Sequence, residues 1–462
     1  MSREREHKKI EVSYKDIRDL SSRSDAMVHF IGVGGVSMYS LAYLTIVRGA
    51  MVSGSDRERS IRTDKLTCLG ARINIGHTAE NVNGASLVVY SHAIAEDNPE
   101  LCEARAKSIP IISRADYLGA VMIDYDSRIG VCGSHGKSTT VAMLDSVFSH
   151  AGLRPTTLSG SVLPIGEPIR LGDSGTLIYE SCEYKDSFLR FSPTISIALN
   201  LELDHTDYFA DIGAICNSFI RALSRAEGFA LINGDDENLS SILKEIKEPV
   251  ITFGFGETND YHYRITKFRP IGYDFTVYRH DEVVENFELN IPGEFNVKNA
   301  TAVIGVAIEM GIDPIVIKEA LASYHGIQGR LEHIGSRYGR PVYYDYAHHP
   351  TEIACTINAL RQVEHRPITV VFKPHTYSRT AALWDDFARS LSMADRLVVT
   401  DIYPAREQPI VGITSENLAS EINGARYCPD NKIAEVIDFT DGAIILMGAG
   451  NFDKIIKDIV RN

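Results

Sequence analysis

The sequence predicts an α/β protein built as three units in series, and three observations carry that reading. Short apolar runs alternate with segments whose apolar residues recur at helical spacing, the pattern of parallel strands joined by crossover helices. The alternation begins afresh at SRIGVCGSHGKS and again after GRLEHIG. The chain has 462 residues, too many for one core when a domain holds about 100–200. The expected units span 1–124, 125–331 and 332–462.

Residues 1–25 are polar and read as a loose arm or a short helix. The opening MSREREHKKIEVSYKD is charged and has no apolar centre, so it is not a signal peptide. VHFIGVGGVSMYSLAYL then reads strand, glycine turn, helix. Further strands are expected at AMVSGSD, ending in Asp56, at SLVVYS and at IPIIS, four in all. In the central unit, strands are expected at the start of IGVCGSHGKS and at TLIYES, TISIALN and FALING. From Val250 to Asn290 the texture becomes short, alternating and aromatic, which predicts an antiparallel β insert. A helix is expected from near Asn296, with Gly311 as its stop. The third unit contributes VYYDYA, PITVVFKP, RLVVTDIYP and GAIILMGAG.

The net charge is -14 and no long basic run interrupts it. That argues against a nucleic-acid backbone or an anionic membrane as the main partner. Small anions remain possible ligands, because backbone amides bind them inside an acidic protein. The seven cysteines form no C-x-x-C pair, which fits a reducing cytoplasm better than a disulfide framework. No apolar run approaches the roughly 20 residues that span a bilayer.

The richest chemistry lies in GVCGSHGKSTT. A strand runs into Gly133, Ser134, His135 and Gly136, and a helix starts near Lys137, Ser138 and Thr139. Phosphate binding needs inward N–H groups, small side chains and a helix N-terminus. Lys137 adds a full charge, and the Ser138 hydroxyl suits Mg²⁺. Val131 stands where the usual motif has its first glycine, and a plain strand-to-helix turn is the alternative. GVGGVSM is less decisive. Gly32 and Gly34 allow close approach to a pyrophosphate, and Asp56 ends the next strand where an acid meets a ribose. Ser37 replaces the third glycine, so tight packing explains the loop equally well.

Glu180 and Glu183 follow one strand; Asn200, Asp204 and His205 follow another. Parallel strands deliver residues to a site at their carboxyl ends. A carboxylate and an imidazole beside a nucleotide suit a second Mg²⁺, although Asp204 also reads as a helix cap. DYAHHPTEI carries Asp345, His348 and His349 before a helix start at Pro350. KPHTYSRT carries His375 and Arg379. Zinc is one reading of these histidines, but no local cysteine or third histidine completes a set. An anion site fits better, because Arg379 can grip a carboxylate or phosphate with two parallel hydrogen bonds. Arg330, at a unit junction, suits a transferring phosphoryl group or an ordinary salt bridge.

Taken in order, HFIGVGGVSM, GSHGKSTT, NLELDHTDYF, PGEFNVKNA, GRLE, DYAHHPTE, PHTYSRT and MGAGN resemble the Mur ligases, over nearly the whole chain from about residue 28. The resemblance implies a Rossmann-like N-terminal domain, a P-loop ATPase-like central domain with a β insert, and a Rossmann-like C-terminal domain. It implies that the carboxylate of UDP-N-acetylmuramate takes the γ-phosphate of ATP, and that the amine of L-alanine attacks the acyl phosphate. Gly32, Gly34, Gly35, Val36, Ser37, Asp56 and Ser91 would hold the UDP sugar. Gly133 to Thr139, Asn296 and Asn299 would hold ATP, with Arg330 and Asp345 supporting it. Ser138, Glu183 and His205 would bind Mg²⁺ at two sites, and His348, His375 and Arg379 would face the carboxylate and amino acid. Lys137, Glu183, His205, Arg330 and Asp345 form the expected catalytic set. The neighbouring readings are a ligase that recycles murein tripeptide and a nucleotide-binding scaffold without catalysis. The expected assembly is a monomer or weak homodimer. Ser37, Gly329 and Thr376 depart from the family pattern.

Overall fold

Each glycine-ended apolar run becomes a strand whose two faces are both covered, as parallel sheets require. The computed structural model describes residues 12–206, 208–405, 407–437, 441–450 and 452–460. Of the expected polar arm, residues 1–11 lie outside these. The remainder includes a helix, Tyr14–Leu20, whose Ser13 cap accepts the Asp16 amide and forms a capping box.

The first sheet has five parallel strands in the order Arg72–Ile75, Met51–Asp56, Met27–Ile31, Leu87–Tyr90, Ile111–Ser113. Four were expected. Arg72–Ile75 was missed because it is a half-exposed edge strand, too short and mixed to give a periodic signal.

The central sheet has ten strands. Ser127–Cys132 lies between Thr176–Glu180 and Ile195–Ala198, parallel to both. Phe229–Asn233 and Val250–Gly254 continue it on the far side. The expected insert needs correction. Val250–Gly254 is a parallel strand of the main sheet, and Tyr261–Phe268 joins it in parallel. Within that stretch the antiparallel pairs are those of Tyr273–Arg279 with Tyr261–Phe268 on one side and Glu282–Leu289 on the other. The insert therefore extends the sheet and moves its edge from Val250–Gly254 out to Glu282–Leu289. The later helix runs Glu294–Glu309, starting two residues before Asn296, with Gly311 in the left-handed region just past its end.

The third sheet has six strands in the order Glu332–Arg337, Arg340–Asp345, Ala443–Met447, Ile368–Phe372, Arg396–Val399, Arg426–Tyr427. Its first pair is antiparallel and the rest are parallel.

The three sheets are not equally joined. One apolar cluster runs from Phe30 and Tyr117 of the first unit through Phe191 and Phe219 of the second. Helix Arg114–Val121 lies directly on the Tyr184–Arg190 segment, where a Cβ on Gly119 would stand 2.3 Å from the Arg190 carbonyl oxygen. The third unit has its own apolar clusters, which among the described residues begin only at Leu331. It meets the central unit through polar pairs such as Thr351–Glu202 and Arg379–Asp204.

Gly119→Ala tests the close approach. Alanine gains up to about 1 kcal/mol in helix propensity. Displacing a backbone carbonyl costs roughly 1–3 kcal/mol, so the variant should be net destabilised. A lowered urea midpoint with unchanged slope is the expected result; an unchanged midpoint would show that the interface gives way freely.

Candidate functional site

Strand order decides where the site forms. Ser127–Cys132 is the strand from which the chain leaves in both directions across the central sheet, and loops diverge at such a switch point to leave a crevice. Gly133 and Gly136 have φ of 137° and 86°, and a Cβ on either would press on Leu199 and on Asn200 or Asn299. Small residues are thus required by conformation and by contact. Asn200 fixes the loop from the next strand end. Its side chain accepts the His135 amide at 2.8 Å and donates to the His135 carbonyl at 3.0 Å. The Ser134 hydroxyl donates to the Glu202 carbonyl and accepts the Glu202 amide at 2.9 Å. The helix Lys137–His150 then opens with Lys137, Ser138 and Thr139 in its first turn.

Lys137 Nζ donates to the Gly133 and Ser134 carbonyls, and to Glu183 Oε1 and Oε2 at 3.2 and 3.3 Å. Burial opposes its charge, but Glu183 and neighbouring acids hold it above the ordinary lysine range. Glu183 is fully buried. Burial works to raise it, and Lys137 with His205 holds it below the usual carboxylate range. His205 Nε2 lies 3.6 Å from Glu183 Oε1. His205 has φ of 54°, a costly conformation for histidine, and its ring leans on Tyr184 at 4.7 Å. Cys182, Glu183 and His205 offer ligand atoms within 4.8 Å of one another. A buried carboxylate beside an imidazole suits a divalent cation; the thiol is a poor partner for Mg²⁺.

Two cavities meet at this loop. The first, of about 840 Å³, is lined by Gly32, Gly34, Gly35, Val36, Ser37, Asp56 and Ser91, and reaches Lys137. All seven residues expected for the UDP sugar therefore share one cavity. Asp56 is also structural: it accepts the Gly34 amide at 2.8 Å, and the Ser55 carbonyl accepts the amides of Gly32 and Val33. The second cavity, of about 1110 Å³, brings together His135, Gly136, Thr139, Asn296, Asn299, Arg330 and Asp345. Both are in the size range of nucleotide-scale ligands, about 300–1,000 Å³ or slightly above.

The third unit supplies the far wall. The Arg330 guanidinium lies 5.5 Å from the Tyr346 ring centroid; burial opposes its charge, while Glu352 and Asp345 raise it. Asp345 accepts the amides of Leu331 and Ala347, both at 2.7 Å. Burial raises Asp345 to about 6 despite Arg330, with Glu352 adding to the rise. His348 and His375 pack edge to face, and burial with Arg379 nearby lowers them to about 4 and about 3. Both are neutral at pH 7. Arg379 donates to Asp204 Oδ1 at 2.8 Å and lies 3.3 Å from His375 Nδ1. The carboxylate grip expected of Arg379 is thus directed first at Asp204, the neighbour of His205. Gly329 has φ of +73°, which an arginine would adopt only with strain. Thr376 caps the helix Tyr377–Ala382, and Ser37 lies in the first turn of Val36–Arg48.

Sequence reading passed over Glu202 and Glu352. Glu352 accepts the His348 and His349 amides and faces His135 Nδ1 at 3.0 Å. With Glu202 it lifts His135 to about 9, against burial. The signal for Glu352 was the spacing His349-Pro-Thr-Glu352, an unusual capping box.

Residues 27–126 match "Mur ligase family, catalytic domain", 131–307 match "Mur ligase middle domain", and 329–450 match "Mur ligase, glutamate ligase domain". A Caldicellulosiruptor bescii protein named UDP-N-acetylmuramate–L-alanine ligase is 40% identical, over 94% of this chain and 98% of its own. The chain belongs to the Mur ligase family. A Clostridium tetani relative with the same name is 39% identical over 92% and 96% of the two chains. Among solved structures, the UDP-N-acetylmuramate–alanine ligase of Thermotoga maritima superposes with a TM-score of 0.81 at 26% identity, covering 94% and 98%. A murein peptide ligase from Psychrobacter arcticus shares the fold with a TM-score of 0.72 at 22% identity, covering 94% and 98%. As a Mur ligase the chain is ATP-dependent, and its three-unit α/β fold is that of the family.

Asp345 makes a pH prediction. Its folded-state value is above the usual 3.8, so the folded chain holds a proton that the unfolded chain releases. This group's contribution to stability should fall by about 2 kcal/mol as pH rises from 4.5 to 7.5. Asp345→Asn should lack that loss. Urea unfolding of both chains near pH 4.5 and 7.5 checks it; equal pH slopes would count against the assignment.

Proposed function

We propose that the chain joins the lactyl carboxylate of UDP-N-acetylmuramate to the amine of L-alanine, with ATP cleaved to ADP and phosphate. The observation that carries this reading is the position of Lys137. It stands at the wall of a cavity lined by the first unit's glycine loop, and the next cavity begins one residue away at Gly136. A sugar-borne acid and a triphosphate approaching from the two sides would meet there. The near full-length relatives at about 40% identity bear names that specify this reaction.

A carboxylate cannot acylate an amine directly, because its leaving group would be oxide. In the first step a carboxylate oxygen bonds to the γ-phosphorus and the bond to the β,γ-bridging oxygen breaks, releasing ADP. The amine then attacks the acyl carbon, loses a proton, and phosphate departs with its oxygen. The first step brings two anions together, so cationic groups must offset their repulsion. Lys137 and Arg330 supply fixed charge, and the amides at the start of Lys137–His150 supply partial charge. Ser138, Glu183 and His205 would hold Mg²⁺, which adds Lewis-acid charge at the phosphates. Asn296 and Asn299 would contact ATP beside Gly136, and Asp345 would hold the Arg330 segment in place. His348, His375 and Arg379 would face the acceptor end; burial keeps both imidazoles neutral and only weakly basic, so they would orient the amino acid by hydrogen bonds rather than take its proton. Closure of the third unit would exclude the water that hydrolyses an acyl phosphate. Seven unpaired cysteines suit the cytoplasm as the place of this reaction, and among the described residues no helix is long and apolar enough to cross a membrane.

Phosphate release in the presence of ATP, Mg²⁺ and UDP-N-acetylmuramate should require L-alanine. Dependence on L-alanyl-γ-D-glutamyl-diaminopimelate instead would replace the reading with tripeptide recycling; substrate binding without release would replace it with a scaffold. Lys137→Ala should lower turnover at least about 100-fold while UDP-sugar binding, carried mainly by residues 32–37, changes far less. Calorimetry and a phosphate assay on the same preparation separate the two effects.

A further inference from the structure

The histidines of DYAHHPTEI have an unused member. His349 is nine-tenths buried, with 6% of its surface exposed, yet its ring is poorly held. The Thr351 amide donates to Nδ1 at 3.4 Å, and Nε2 has no hydrogen-bond partner. Its ring is tilted over that of His135 at 4.9 Å between centroids. Between them stands Glu202. Its Oε2 lies 3.3 Å from His135 Nε2 and 3.5 Å from His349 Nδ1.

These separations have a chemical meaning. A tetrahedral zinc-class ion with ligands at about 2.0–2.1 Å places neighbouring ligand atoms about 3.3 Å apart. One ligand atom from each of His135, Glu202 and His349 lies within 4.8 Å of the other two; His349 faces Glu202 through Nδ1, which would exchange its long Thr351 contact for the metal. Two imidazoles and one carboxylate are a donor set that zinc takes in proteins. The surroundings also fit. Glu352 Oε1 is 3.0 Å from His135 Nδ1, so a carboxylate fixes the ring from behind and leaves Nε2 as the ligand atom. Thr351 Oγ1 donates to Glu202 Oε2 at 2.8 Å and steadies the third ligand. The three ligands come from the phosphate loop, the strand end after Ala198 and the first cap of Pro350–Val363. Sequence reading found no complete set because two members lie more than 140 positions from the third.

We propose that His135, Glu202 and His349 form a binding site for a divalent transition cation of the zinc class, bridging the central and C-terminal units. It is separate from the Glu183–His205 position, which suits a hard cation. A metal here clasps the third unit onto the phosphate loop, so zinc should slow turnover at saturating Mg²⁺ by hindering reopening.

The test uses the full chain and ZnCl₂ in excess Mg²⁺. One equivalent should bind in calorimetry. His349→Ala and Glu202→Gln should weaken it by about 100-fold or more, and Glu352→Gln by about 10–100-fold; His205→Ala should leave it in place. X-ray absorption of the zinc-loaded parent should show a nitrogen and oxygen shell without sulfur at about 2.3 Å. That spectrum decides the matter even where His349→Ala unfolds through loss of its cap. Absence of a stoichiometric equivalent, its survival in folded His349→Ala and Glu202→Gln, its loss in His205→Ala, or a sulfur shell would each overturn the site.

Discussion

A buried carboxylate facing a part-buried ammonium organises this molecule. Glu183 has no exposed surface; each of its carboxylate oxygens accepts from Lys137, and His205 stands on its other side. Removing one member of such a pair leaves an uncompensated charge and costs about 3–5 kcal/mol. Lys137 must therefore stay across the mouth of the phosphate loop, and the strand ends on either side must stay in register with it. The small residues at 133 and 136, the Asn200 clamp and the strained His205 all serve that arrangement. The same charge pair is placed where two anionic substrates would have to meet.

The two interfaces of the central unit differ in kind, and that difference suits a ligase. The first unit is joined by continuous apolar packing and a backbone contact at Gly119. Parting it would expose that surface to water, at about 25 cal/mol for each Å². The third unit is joined by ion pairs and hydrogen bonds: His135 with Glu352, Thr351 with Glu202, Arg379 with Asp204. Such contacts exchange for water at small net cost, so this is the interface at which motion is expected. On the proposed function, the cavity behind residues 32–37 and Lys137 would keep a fixed relation, while the wall carrying Asp345, His348 and Arg379 would be the part that opens and closes. At His135 the third unit touches the phosphate loop itself, through Glu352.

Several elements were legible before any coordinates. The helix Lys137–His150 begins where expected, because a glycine turn followed by a lysine is a local signal. Gly311 stops its helix for the same reason. Edge strand Arg72–Ile75 and the parallel placement of Val250–Gly254 were not legible, because pairing partners are chosen by the whole sheet. The ordered motifs pointed to the family, whereas the roles of Glu202 and Glu352 left only a faint trace in spacing.

The amino-acid sequence alone determined where strands yield to helices, which loop could cradle a phosphate, and that three such units follow one another. Those properties depend on backbone conformation and on neighbours a few residues away. Tertiary structure alone decided that Asp204 holds Arg379, that Glu352 reaches His135, and that His349 stands beside Glu202. Those partners are more than 140 positions apart in the chain. Only the stacking of one sheet end against another brings their charges close enough to shift each other.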